Sequence, residues 1–169
     1  MLHIYTGNGK GKTTASLGLA TRFLGHHKKV CLIQFMKKNV EYGEITFFKD
    51  IPNIDIFQFG TPDFVDKKNP KPIDIEEAVQ GFKKAKEVII SKEHDLVILD
   101  ELNVALDFEL ISLEEVLPFI KEKKDDLELV VTGRYAPGEL LEIADLITEM
   151  KEVRHYYSEG ISARESVEY

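Results

Sequence analysis

Thr6-Gly7-Asn8-Gly9-Lys10-Gly11-Lys12-Thr13-Thr14 has the residue types and spacing to grip a chain of phosphates. The phosphate-loop pattern requires a glycine, four residues, then Gly-Lys-Ser/Thr. Gly11, Lys12 and Thr13 match it; Thr6 stands where the first glycine would be, and Gly7 and Gly9 supply the backbone freedom instead. Glycines let successive backbone N–H groups turn inward on phosphate oxygens with no Cβ in the way. A helix that follows aims its unpaired N–H groups and positive end at the same place. Lys12 adds a point charge among the phosphates, and the Thr13 hydroxyl can reach Mg²⁺. The bland alternative is a glycine-rich turn with an accidental lysine. A strand-length apolar run before the loop and a helix pattern after it weigh against that.

A nucleotide site of this kind needs a second half, usually an acid at the end of a buried strand. His94-Asp95-Leu96-Val97-Ile98-Leu99-Asp100-Glu101 supplies one. Ligands of open α/β sheets bind at the C-terminal ends of strands, which sets Asp100 and Glu101 opposite the phosphate loop. Two carboxylates there can hold Mg²⁺ or its waters. Val130-Val131-Thr132-Gly133-Arg134 offers Thr132 and Arg134 to the same crevice. Arg134 can brace triphosphate charge, or be an ordinary surface arginine.

The elements that must position these residues are legible as alternating runs. Leu2–Tyr5, Val30–Phe35, Ile54–Phe59, Leu96–Leu99 and Leu129–Val131 are nearly continuous apolar stretches, as strands covered on both faces require. Between them, a helix is expected from Thr13 to Leu24 with a stripe of Ala15, Leu19, Ala20, Phe23 and Leu24, stopped at Gly25. A second is expected from Ile75 to Ser91 with Ile75, Ala78, Val79, Phe82, Ala85 and Ile89 inward. Ser112 with Glu115 makes a capping-box start for a third, in which Pro118 favours a kink. Ala136-Pro137 opens a last helix through Ala144. The alternation implies an α/β fold, a mostly parallel sheet with helices on both faces, in a single domain over residues 1–169. Gly60 to Ile73 carries three prolines and no helix or strand period, a loop long enough to suggest function, with a solvated lysine-bearing connection as the alternative.

Composition narrows the partners. A chain of 169 residues can bury a core without disulfides, and its single cysteine, Cys31, reads as a small buried residue inside VCLIQF. A formal net charge of −8 disfavours nucleic acid. No run is long enough to span a membrane and no secretory leader is visible, so the cytoplasm is the expected address.

Over nearly its whole length the sequence resembles the ATP:corrinoid adenosyltransferases, the P-loop type with RecA-like architecture. The resemblance rests on YTGNGKGKTTASLGLATR (5–22), QFMK with Gly43-Glu44, DLVILDELNVAL (95–106), VVTGRYAPGELLEIADLITEM (130–150) and the end from His155. It implies transfer of the 5′-deoxyadenosyl group of ATP to the Co(I) of a corrinoid, with release of triphosphate. The corrinoid itself is then the nucleophile, which agrees with the lack of a catalytic-triad pattern.

Carried over, Gly7, Asn8, Gly9, Lys10, Gly11, Lys12, Thr13 and Thr14 form the ATP loop, with the γ-phosphate deep in the cradle. Thr13, Glu101 and Asp100 serve Mg²⁺; Lys12, Glu101 and Arg134 serve the reaction; Arg22 lies near the nucleotide; Phe59 and Phe64 face the corrinoid. The family's aromatic loop usually carries a tryptophan; here Gly60 and Phe64 fit, but Asp66 stands near that place and the chain has no tryptophan. A homodimer and a reductant protein as the source of Co(I) complete the implied partners. The rival readings are a RecA-like ATPase in which Glu101 activates water, and a nucleotide-binding regulatory module without turnover.

Lys12 is the loop side chain placed to put a full charge among the phosphates. Lys12→Ala is expected to weaken ATP binding about tenfold or more, since hydrogen bonds to charged groups contribute about 1.5–3 kcal/mol. Transfer should be nearly abolished with the fold retained. Calorimetric titration measures it, and an unchanged affinity would remove Lys12 from this role.

Overall fold

A computed structural model describes residues 1–38 and 42–169. The chain runs β1 (Leu2–Thr6), α1 (Lys12–Gly25), β2 (Val30–Phe35), α2 (Gly43–Phe48), β3 (Ile54–Phe59), α3 (Pro72–Ser91) and β4 (Leu96–Asp100). It continues through α4 (Leu102–Asp107), α5 (Leu113–Lys123), β5 (Glu128–Thr132), α6 (Gly138–Ile143), β6 (Leu146–Glu149) and a 3₁₀ turn at Tyr156–Glu159. Among the described residues the strands form one sheet in the order β3-β2-β4-β5-β1-β6, and every pairing is parallel.

Parallel pairing forces a crossover between neighbouring strands, and the crossovers cover both faces. On one face α1 packs through Ala20, with Leu17, Leu19, Phe23 and Leu24 beside it, over Val30, Leu32, Leu96, Ile98 and Val130. On the other face, Ala78, Phe82, Ala85 and Ile89 of α3 meet Cys31, Ile33, Phe35, Val97 and Leu99, joined by Val116 and Ile120 of α5. All residues of β2 and β4 are buried. Burial pushes the Cys31 thiol up to about 12, so it is an inert core residue.

Several details differ from the sequence reading. In α1 the buried positions are Lys12, Ser16 and Ala20, and Ala15 is exposed. The hydroxyl of Ser16 is accommodated by donating to the Thr13 carbonyl at 2.7 Å. Helix α1 runs through Gly25, and the left-handed residue is His27 at φ 57°. Helix α3 begins three residues earlier than expected, with Pro72 in its first turn. Its inward stripe is Ala78, Gly81, Phe82, Ala85, Val88 and Ile89, while Ile75 and Val79 are exposed. Ser112 caps α5 by accepting from Glu114 N–H at 3.2 Å, and the helix continues through Pro118. Short elements without a full period (α2, α4, β6) are additional. No helix among the described residues is long and apolar enough to cross a membrane.

The last strand shapes the phosphate loop. Beyond β6, Met150 N–H donates to the Thr6 carbonyl at 2.8 Å and its carbonyl accepts from Gly9 N–H at 2.6 Å. Gly7 has φ 96°, and a Cβ there would lie 2.5 Å from the Met150 carbonyl oxygen. Gly7 is thus required by the neighbouring strand as well as by any ligand. Gly7→Ala is expected to destabilise the protein by at least about 1–3 kcal/mol, the scale of one strained backbone position. Denaturant unfolding reads this directly; wild-type stability in the variant would mean that the loop shifts freely away from Met150.

Candidate active site

Parallel register brings the C-terminal ends of β1, β2, β4 and β5 to one edge: Gln34 pairs with Asp100, Leu99 with Val131 and Tyr5 with Thr132. Asp100 is fully buried and receives four hydrogen bonds there. Thr13 Oγ1 (2.8 Å) and Thr132 Oγ1 (2.7 Å) donate to Oδ1; Gln34 Nε2 (3.1 Å) and Lys37 Nζ (2.7 Å) donate to Oδ2. Burial works to raise its pKa, but the Lys37 charge and the bonds from Lys37, Thr132 and Thr13 outweigh it and hold the carboxyl below its ordinary range.

Glu101 sits one residue on, at φ 63°, a left-handed conformation costly for a side chain with a Cβ. Its N–H donates to Thr132 Oγ1 at 3.0 Å. Burial, and then the charge of Asp100, push its carboxyl up. Thr132 therefore supports both acids at once, donating to one and accepting from the backbone of the other.

On the loop side, Lys12 is buried and its Nζ donates to the Gly9 carbonyl at 2.7 Å. Burial lowers its pKa, with Glu101 acting in the opposite sense. Residues Gly9 to Thr14 line a cavity of about 640 Å³ whose opposite wall includes Lys37, Glu101 and Arg134. Gly7 and Asn8 line a neighbouring recess instead, where Asn8 Oδ1 accepts from Glu152 N–H at 3.0 Å. The C-terminal residues Ser166–Tyr169 close another side; Lys10 Nζ donates to the Val167 carbonyl at 2.7 Å.

A second cavity of about 590 Å³ adjoins the first and shares Lys37, Tyr42, Glu101 and Arg134 with it. Its own walls are largely apolar, Met36, Phe64, Val65, Val104, Phe108 and Tyr135, with the charged pair Lys67 and Asp107 among them. Phe64 is fully exposed, so it does not anchor its loop to the core. That loop is pinned elsewhere by α3 carboxylates: Glu77 accepts from Gly60 N–H (3.0 Å), and Asp74 accepts from Thr61 Oγ1 (3.0 Å) and Lys71 N–H (2.9 Å). Lys67 reaches across to Asp107 at 2.7 Å, over the rings of Phe108 and Tyr135.

Two residues expected near the ligands lie elsewhere. Arg22 is exposed ten residues after Lys12 on α1, about 15 Å along the axis at 1.5 Å per residue, and lines neither cavity. Phe59 packs against the core and likewise lines neither cavity. Conversely, Lys37, Gln34, Tyr42, His155 and the C-terminal residues join the site without having been singled out as ligand-facing. For Lys37 a signal exists: a lysine just past a buried strand whose partner strand ends in an acid.

Fold and site together define a P-loop α/β protein with a glycine-rich cradle adjoining a second, more apolar cavity. The chain belongs to the ATP:corrinoid adenosyltransferase family BtuR/CobO/CobP, whose model matches residues 1–169. It is 36% identical to a corrinoid adenosyltransferase of Sinorhizobium sp over 172 residues, covering 100% of this chain and 80% of that one. A corrinoid adenosyltransferase of Pseudomonas aeruginosa is 36% identical over 169 residues (100% and 83%), and one of Escherichia coli K12 is 33% identical over 166 (98% and 84%). Among solved structures, flagellar accessory protein FlaH from Methanocaldococcus jannaschii shares the fold at a TM-score of 0.58 and 13% identity, over 88% of this chain and 69% of that one. The cytoplasmic domain of EssC does so at 0.57 and 16%, over 96% and 33%.

Thr132→Val removes a hydrogen bond to a buried charge, expected to cost about 1.5–3 kcal/mol at neutral pH. Asp100 titrates low in the folded state, so its stabilisation is present above the ordinary carboxylate range and lost as pH falls through the folded value. The deficit of Thr132→Val should accordingly be largest near pH 7 and shrink in acid, with Thr132→Ser close to wild type. Melting temperatures across pH measure this; a deficit independent of pH would assign the loss to packing and to the bond from Glu101 N–H rather than to the charge of Asp100.

Proposed function

We propose that this chain transfers the 5′-deoxyadenosyl group of ATP to the Co(I) of a corrinoid and releases triphosphate. The observation that supports it best is the pair of adjoining cavities: a phosphate cradle of Gly9–Thr14 opening at Lys37, Tyr42, Glu101 and Arg134 into an apolar chamber. A hydrolase has no use for such a chamber at the end of the triphosphate. A flat macrocycle with apolar faces has one.

Held along the loop, the triphosphate leaves C5′ facing the chamber, where the electron pair of Co(I) can reach it. The Co–C5′ bond forms as the C5′–O bond breaks, cobalt is oxidised to Co(III), and the displaced electron pair departs on triphosphate. Lys12 is drawn from the Gly9 carbonyl onto phosphate oxygens, and Arg134, exposed at the rim, follows the leaving charge. The protein supplies alignment and electrostatics, and the corrinoid supplies the nucleophile.

Mg²⁺ fits the donor set. Thr13 Oγ1 and Asp100 Oδ1 are 2.8 Å apart and Glu101 stands beside them, hard oxygens of the kind Mg²⁺ takes together with substrate phosphates. Thr13, Asp100 and Glu101 would hold it, and when bound it would neutralise phosphate charge. Phe64 offers an apolar ring that can displace an axial donor from Co(II) and so ease its reduction to Co(I). A cytoplasmic homodimer served by a reductant protein completes the reading.

Incubation with ATP, Mg²⁺ and chemically reduced cobalamin should yield the adenosylcorrinoid spectrum and stoichiometric triphosphate. ADP with phosphate would indicate an ATPase, and unchanged ATP a binding module. In the same assay Phe64→Ala should lose activity strongly when the reaction starts from Co(II) and a mild reductant, and far less when Co(I) is supplied. Equal losses would place Phe64 in binding rather than reduction.

A further inference from the structure

Three cavities meet at Lys37 and Tyr42: the phosphate cradle, the apolar chamber and a smaller one of about 340 Å³ running to Phe64. Lys37 stands two residues beyond β2, after Met36 turns the chain at φ 56°. Its N–H donates to the Phe59 carbonyl at 3.2 Å, and a Cβ on Gly60 would come within 2.6 Å of its backbone nitrogen. The backbone is thus fixed from the β3 side, and Nζ is fixed by Asp100 Oδ2 at 2.7 Å. Even so, 19% of the side chain remains open.

The reaction decides which part of the nucleotide lies against that opening. With the triphosphate on Gly9–Thr14 and C5′ facing the apolar chamber, the phosphoryl group next to C5′ falls at the shared wall. Two cations of the described residues line both large cavities, Lys37 and Arg134. Arg134 is exposed and has no ion pair among the described residues, whereas Lys37 is held in place before any ligand arrives. Preorganised charge costs no rearrangement when the reaction needs it.

We infer that Lys37 is a further catalytic residue, whose ammonium, positioned by Asp100, stabilises the charge that builds on the α-phosphoryl oxygens as C5′ leaves. The inference rests on the adenosyl-transfer reading. It assigns the two lysines to different ends of the triphosphate, Lys12 to the cradle and Lys37 to the departing end. The competing role for Lys37 is purely structural, neutralisation of Asp100.

The test uses the full chain with Mg²⁺ and chemically reduced cobalamin. ATP is compared with ATP carrying sulfur in place of a non-bridging α-phosphoryl oxygen, for the wild type, Lys37→Met and Lys37→Arg. Lys37→Met should lower kcat about 10²–10³-fold, the scale for removing one preorganised donor to a developing charge. ATP affinity should change little, and Lys37→Arg should recover most of the rate. The wild type should be slowed by the sulfur, and Lys37→Met should be indifferent to it. A sulfur effect of equal size in both, or a loss confined to KM, overturns the inference and leaves Lys37 as the partner of Asp100. If Lys37→Met loses its cooperative melt, Lys37→Arg carries the comparison: an altered preference between the two sulfur diastereomers supports contact, and an unaltered one refutes it. No adenosylcorrinoid from the wild type would overturn the functional reading and this inference together; an active wild type with an unaffected Lys37→Met would overturn this inference alone.

Discussion

A carboxylate sealed from water must be fully paired, and Asp100 makes that demand at the centre of the molecule. Its donors come from different stretches of chain: Thr13 at the start of α1, Gln34 in β2, Lys37 beyond β2 and Thr132 at the end of β5. Satisfying them requires β2, β4 and β5 to end level with one another and α1 to begin over the same edge. A one-residue slip in β2 would turn Gln34 to the other face and leave the buried Asp100 without one of its four donors. The constraint that stabilises the sheet edge thereby also assembles the site.

Strain gathers at that edge. Met36, Glu101 and Tyr135 all take left-handed conformations just after β2, β4 and β5, and all three line the apolar chamber. Such conformations persist only where surrounding contacts over-determine them. For Glu101 the bond from its N–H to Thr132 does so, and for Met36 the Lys37–Asp100 pair and the close approach of Gly60. These turns carry the chain off its strands and set Lys37, Glu101 and Tyr135 at the cavity wall.

In the proposed reaction the two cavities divide the chemical labour. The cradle gathers Lys10, Lys12, Lys37 and Arg134 beside the carboxylates Glu44, Glu101 and Glu168, cations suited to a polyanion that would leave with an added charge. The chamber is apolar, bounded by a loop whose ends are tied to α3 and whose middle reaches Asp107 through Lys67. With Phe64 exposed on this loop, the ring is free to meet a ligand, and no tryptophan is needed to make the wall apolar.

The amino-acid sequence by itself determined whatever is local. The order strand, phosphate loop, helix follows from neighbouring residues. So do the apolar runs that become β2 and β4, the Asp100-Glu101 pair at a strand end, and the motifs that carry the family. Short or irregular elements escaped because α2, α4 and β6 are too brief to show a period. Only the tertiary structure decided the long-range matters. It paired Lys37 with Asp100 across 63 residues, laid Met150 against Gly7 and Gly9, and brought Ser166–Tyr169 to the cradle. It also carried Arg22 away along α1 and packed Phe59 against the core. Those outcomes depend on strand register, helix rise and the path of the chain between elements, and no residue's neighbours in sequence encode them.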